Sequence, residues 1–222
     1  MPQDLVCQSV RRRYLQRGCV ASAIKEFRPR RPKLRFQVFD GDSATTLGKV
    51  ESGELDMGLG FYFKHIPGIR RIPLFRFSLM VIRPNTGGAV SRRTVTWASL
   101  KGERFVTLQQ SLPLQQFVDK HLARAGIGCQ PSLVLNYLHT QIAMVEAGVG
   151  IAVVPSFALP ECRSRGLIIS SLVNPIVHLD FYQIRKGGRK LLPIAEEFSA
   201  FLKDYIVAWA SKSGLRSKRV GL

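Results

Sequence analysis

The chain has 222 residues, 45% hydrophobic and 22% charged, with 33 Lys and Arg against 15 Asp and Glu for a formal net charge of +18. That length holds one large domain or two small ones, and the composition excludes a disordered or collagenous chain. The first thirty residues lack an apolar h-region with a small-residue cleavage site, and no run approaches a membrane span, so the expected location is cytoplasmic with no membrane partner.

The positive excess gathers at the ends. Residues 1–35 carry ten Lys and Arg against two acids, and residues 212–222 carry four against none. Basic ends of this kind bind nucleic acid or anionic lipid, but more often they are solvated terminal charge. No aromatic residue interleaves with Arg216, Lys218 and Arg219 as a base-stacking surface requires. Cys7, Cys19, Cys129 and Cys162 form no C-x-x-C pair, and the four histidines are equally scattered. Reduced thiols, no metal and no cofactor are expected.

In chain order, residues 1–20 show neither alternation nor a helical stripe and read as an irregular basic N-terminus. Ala23, Ile24 and Phe27 trace one face of a short helix that Pro29 and Pro32 follow. Leu34, Phe36 and Val38 alternate as a half-buried strand. After a turn at Asp40–Ser43, Asp42 or Ser43 caps a helix with Leu47 and Val50 inward and Gly53 at its end. Leu55–Leu59 makes another strand, which Gly60 and Phe61 leave. Arg104–Leu108 is strand-like, and Phe117, Val118, Leu122 and Ala125 fall in helical register.

Residues 132–155 compress a strand (133–135), a helix (Leu138, Ile142 and Val145, ended by Gly148) and an apolar strand (151–154) stopped by Pro155. An unbroken apolar strand is covered on both faces, which favours a parallel sheet; such sheets bind ligands beyond their carboxyl ends. Ile176–Ile184 alternates as a strand. Leu192, Ala195, Phe198, Leu202, Tyr205 and Trp209 line one side of a long helix.

The succession D-G-D-S-A-T-T-L-G-K-V-E-S-G-E-L-D-M-G-L-G (Asp40–Gly60), Ile72-Pro73-Leu74 with Leu79–Pro84, Trp97–Gly102 and Ala147–Pro155 resembles the effector-binding domain of LysR-type transcriptional regulators, over about residues 21–205. The resemblance implies an α/β fold of two Rossmann-like subdomains joined by two crossovers, shared with type 2 periplasmic binding proteins. Subdomain I would comprise residues 21–76 plus 163–210 and subdomain II residues 77–162, with a basic tail at 211–222. Nothing in residues 1–20 resembles the family's winged helix-turn-helix, so no direct sequence-specific DNA binding is expected of this chain. The family's first strand should precede Ala21, where the chain has SVRRRYLQRG. Subdomain I is therefore expected to be missing or altered at its first strand, as a truncation, frame change or mistaken start would leave it.

The resemblance further implies a small-molecule effector, commonly a carboxylate, in a cleft between subdomains. Ser43 matches the family's hydroxyl residue at the start of the second helix, while Asp42 is either a contact or only a cap. Gln109 and Ser111 follow one strand, and Asn136, Tyr137 and Thr140 follow another, all able to donate hydrogen bonds. Phe61 and Pro155 are candidate apolar walls. Each has an alternative role as turn, cap or core. Members of the family pair antiparallel, the helix near Ala23–Phe27 against the one near Leu114–Ala125, so a homodimer or a mixed dimer with intact regulators is implied.

A ligand-sensing module of a transcription regulator is the leading function, and a solute-binding protein of a transporter, or a non-functional truncated regulator, the alternative. Catalysis is not expected: G-x-S-x-G, G-x-x-x-x-G-K and H-E-x-x-H are absent, and Gly148-Val149-Gly150 lacks the third glycine of a dinucleotide loop. Binding of nucleic acid through the tails alone is the last class, and it would be steeply salt-dependent.

Overall fold

The computed structural model describes residues 4–10, 19–87, 92–128 and 130–215. The arginine run at 11–13, the basic tail from Arg216 and Cys129 lie outside the described residues. The chain divides into two compact units, Met1–Arg76 with Asp180–Leu222, and Phe77–Leu179. It leaves the first unit within β4 (Ile69–Arg83) and returns within β10 (His178–Lys186).

The first unit corrects the expectation of a missing strand. Strand β1 (Asp4–Val10) lies between β2 (Arg35–Gly41) and β3 (Met57–Gly60), parallel to both, with Cys7 opposite Val38 and Met57. Apart from Val10, only Leu5-Val6-Cys7 is apolar there, a run too short to announce a strand locally; the strand is defined by its two partners on either side. Residues 4–10 therefore belong to the first unit's sheet rather than to an irregular N-terminus. β10 continues this sheet antiparallel to β3, pairing Gln183 with Leu59.

Helices α1 (Ala21–Phe27) and α6 (Pro193–Lys212) pack together through aromatic side chains. Phe27 meets Phe198 and Phe201 with ring centres 5.2 Å from each, and Phe36 of β2 meets Phe198 at 5.0 Å. Such edge and tilted contacts are favourable ring geometries in a core. Helix α2 (Ser43–Ser52) covers a second cluster of Val50, Leu55, Tyr62, Ile69 and Ile184. Gly53 closes α2 at φ 83°, a left-handed end that suits glycine.

In the second unit β4 pairs antiparallel with β8 (Ala152–Pro155) and β9 (Ile168–Val173), which the short helix α5 (Leu159–Ser164) separates along the chain, and β5 (Thr94–Thr96) lies parallel to β9. The return to the first unit thus comes after Leu179, not near Cys162 as the sequence suggests. The reason is β9: its alternating Ile168, Ser170 and Leu172 are buried against strands of this unit. β8 is buried at all four positions as its apolar run requires, but its full pairing, to β4, is antiparallel. A parallel bridge from Ile151 to Phe105 sets β8 beside β6 (Phe105–Leu108), which pairs parallel with β7 (Pro131–Leu135).

Candidate functional site

In the second unit, the parallel run of β7, β6 and β8 brings three carboxyl ends to the same side. The Gln109 amide donates to the Leu135 carbonyl at 2.9 Å, so the loops that follow β6 and β7 begin side by side. Gln109, Ser111, Asn136 and Tyr137 are exposed on these loops, and Thr140 is half-buried in the first turn of α4 (Leu138–Glu146). The Ser111 hydroxyl donates to Gln109 Oε1 at 3.4 Å, and the Tyr137 ring stacks on His139 at 5.5 Å. Pro155 ends β8 at the same edge and is buried, opposite Leu79.

Two glutamines absent from the sequence-based site hold these loops in place. Gln115 of α3 (Pro113–Arg124) is 4% exposed; its Oε1 accepts the Leu108 amide at 2.9 Å and its Nε2 donates to Asp119 at 2.7 Å. Gln141 is 2% exposed, and its Nε2 donates to the Val106 carbonyl at 2.8 Å. The helix following each strand is thus tied back to β6 through a buried amide, which leaves the loop geometry little freedom. A polar Gln141 inside the inward stripe of Leu138, Ile142 and Val145 was a readable sign of this role.

In the first unit, Asp42 Oδ1 accepts the Thr45 amide at 2.7 Å. Its carboxylate therefore works as an N-cap, which draws Asp42 toward the capping alternative and leaves the amides of Ser43 and Ala44 as first-turn donors without intrahelical acceptors. Ser43 is half-buried as the first residue of α2. Thr46, fully buried, donates its hydroxyl to the Asp42 carbonyl at 2.6 Å, which fixes the same turn from inside. Phe61 is 4% exposed against Phe181, ring centres 5.3 Å apart, and so belongs mainly to the core. Beside it Tyr62 is buried, and burial pushes its phenol well above the ordinary value, with the Thr46 hydroxyl acting weakly in the other direction.

Both units thus present hydrogen-bond donors where parallel strands end and helices begin, an arrangement that receives anions. Among the described residues no group of acids, cysteines and histidines is placed to hold a metal ion. No described helix is long and apolar enough to cross a membrane.

The family model for the LysR substrate binding domain matches residues 13–206. The chain belongs to the LysR substrate-binding family. An uncharacterized HTH-type transcriptional regulator of Bacillus subtilis, YybE, is 30% identical over 200 residues, covering 87% of this chain and 64% of the relative. YbhD of Escherichia coli, likewise an uncharacterized HTH-type regulator, is 23% identical over 81% of this chain and 57% of its own length. This LysR-family chain therefore spans about three-fifths of the length of these two relatives. Among solved structures, the effector-binding domain of QuiR in complex with shikimate superposes with a TM-score of 0.77 at 14% identity, covering 92% of this chain and 97% of that one. The regulatory domain of Synechocystis CcmR in complex with 2-PG gives 0.79 at 16% identity, covering 90% and 96%. At these identities the superpositions establish the fold: that of LysR effector-binding domains, the type 2 periplasmic-binding-protein arrangement.

Proposed function

We propose that this LysR-family chain is the ligand-sensing module of a transcription regulator, and that its effector is a small carboxylate. The observation that carries the reading is the adjacency of the β6 and β7 ends, fixed by the bond from Gln109 to Leu135. Side chains able to donate sit on both of these loops, and a carboxylate's oxygens are all acceptors. Ser43 and the first amides of α2 offer the same chemistry in the first unit. Relatives named as transcriptional regulators, and neighbours solved with shikimate and 2-PG, agree with a sensing rather than a catalytic role.

On this reading the chain acts in the cytoplasm as one of a pair, with itself or with a longer relative. The test is a thermal-shift screen against small carboxylates. A ligand that binds only the folded state at a hundredfold excess over Kd stabilises it by about 2.7 kcal/mol. Ser43→Ala and Asn136→Ala should each reduce the shift. A cooperative melt that no carboxylate moves would sink the effector class.

A further inference from the structure

Two loops of the first unit taken with their strand ends, 63–71 running into β4 and 185–190 leaving β10, meet at a backbone contact: the Gly187 amide donates to the Gly68 carbonyl at 2.6 Å. Only glycine permits this approach, since a Cβ on residue 187 would lie 2.9 Å from that oxygen. Neither loop contains an Asp or Glu. Their cations fall into two groups. Arg71 is spent on structure, donating to the carbonyls of Tyr62 and Lys64 at 3.0 Å each and lying 5.0 Å over the Tyr182 ring. Arg185 pairs with Glu196, and Arg189 with Asp56. Lys64, Arg70, Lys186 and Lys190 are exposed and form no ion pair among the described residues, and Phe63 is exposed beside them.

We propose that these paired loops form a cationic surface that binds the phosphate backbone of duplex DNA without reading its sequence. Four uncompensated cations held on loops pinned by Gly68, Gly187 and Arg71 cost little to order against a row of phosphates, and the neighbouring acids Glu196 and Asp56 are already paired with Arg185 and Arg189. A lipid surface would also attract the charge. It needs a broad apolar face among the cations to anchor them, and residues 63–71 and 185–190 contribute one exposed large apolar side chain, Phe63. Duplex DNA is favoured as the occupant because the chain is a regulator module, so the inference rests in part on the proposed function.

The experiment is binding of a labelled random-sequence duplex by the full chain across salt from about 50 to 200 mM. Each cation that meets a phosphate contributes about one to the slope of log K against log salt. K64A/R70A/K186A/K190A should flatten that slope by about two to four. The charge-matched variant K33A/K101A/K203A/K212A, altered at exposed positions elsewhere, should change it by less than half as much. A loss below about two, or an equal loss in the charge-matched variant, overturns the proposal. Loop-dependent binding to phosphatidylserine vesicles with none to the duplex overturns it too. The effector screen is repeated on the loop variant: a retained carboxylate shift without loop-dependent DNA binding removes this inference and leaves the sensing function standing.

Discussion

Arg76 holds Asp180 with two parallel bonds, Nε to Oδ1 at 2.5 Å and Nη2 to Oδ2 at 3.0 Å. Arg76 is the last residue of the first unit before the chain leaves it, and Asp180 the first after the return. Tyr182 adds a bond from its hydroxyl to Asp180 Oδ2 at 3.3 Å, and donating to the Asp180 carboxylate holds the Arg76 guanidinium above its ordinary value. The fork therefore ties the outgoing strand to the incoming one where the chain changes unit. The pair is 34% and 24% exposed, so water weakens it. Asp180→Asn should cost about 1 kcal/mol, read as a lower urea midpoint at unchanged slope. An unchanged midpoint would show that the fork contributes nothing net.

Much of this fold is written in local pattern. The apolar stripes of α1, α3, α4 and α6, the Asp42 cap and the Gly53 terminus follow from spacing and capping chemistry, because those signals act within one or two turns. β1 did not, because a parallel central strand is specified by partners thirty and fifty residues away. For the same reason residues 163–179 lie in the second unit rather than in subdomain I: the alternation of β9 gives a buried face but not the sheet that face joins. The β6 and β7 loops were legible as a strand, a loop and a helix repeated twice. The role of Asp42 was not, since cap and ligand contact demand the same residue type at the same place. Its bond to Thr45 shows the cap.

Gly150 and Gly58 are predicted to resist substitution for different reasons and by different amounts. A Cβ on residue 150 would lie 2.4 Å from the Arg104 carbonyl oxygen, a backbone atom engaged by the Ile151 amide at 2.8 Å. Relief requires β6 and β8 to separate, so Gly150→Ala should cost about 2–3 kcal/mol and also weaken carboxylate binding at the strand ends. A Cβ on residue 58 would meet Thr46 Cγ2 at 2.6 Å and Ile184 Cγ1 at 2.9 Å, both side-chain atoms. These yield more easily, and Gly58→Ala should cost about 1–2 kcal/mol. Thermal melts of the two variants test the order; a reversal would contradict it.

Burial pushes the thiols of Cys19 and Cys162 up from 9.0 to about 12. The thiolate is the reactive form, so in a Cys7→Ser, Cys129→Ser background the native chain should be silent to a disulfide reagent at pH 8 and titrate two thiols only on unfolding. The pH dependence follows in sign. The folded state favours the protonated thiols, so their contribution is complete below pH 9 and is lost as pH rises from 9 toward 12, where the unfolded chain ionises first. Urea midpoints measured between pH 8 and 11 should fall, and fall less in Cys162→Ala. Rapid native labelling at pH 8 would show these sites to be open.

The proposed pairing of α1 with a partner's α3 meets an electrostatic obstacle in this chain. At α1 and its C-terminal end the exposed Lys25 and Arg28 outnumber the exposed Glu26, and on α3 the exposed Lys120 and Arg124 outnumber the half-buried Asp119, so each face is net positive. Self-pairing through those faces sets cation against cation, and like charges at close range oppose association until salt screens them. Homodimer formation should therefore strengthen as ionic strength rises from about 10 mM to about 150 mM, over which the Debye length shrinks from about 30 Å to about 8 Å. K120E/R124E should reverse the trend, forming tighter dimers that salt weakens. Sedimentation equilibrium across that range decides it. Dimers of the unmodified chain that weaken with salt would mean that other faces meet, while a partner whose α3 equivalent is acidic should be preferred over a second copy.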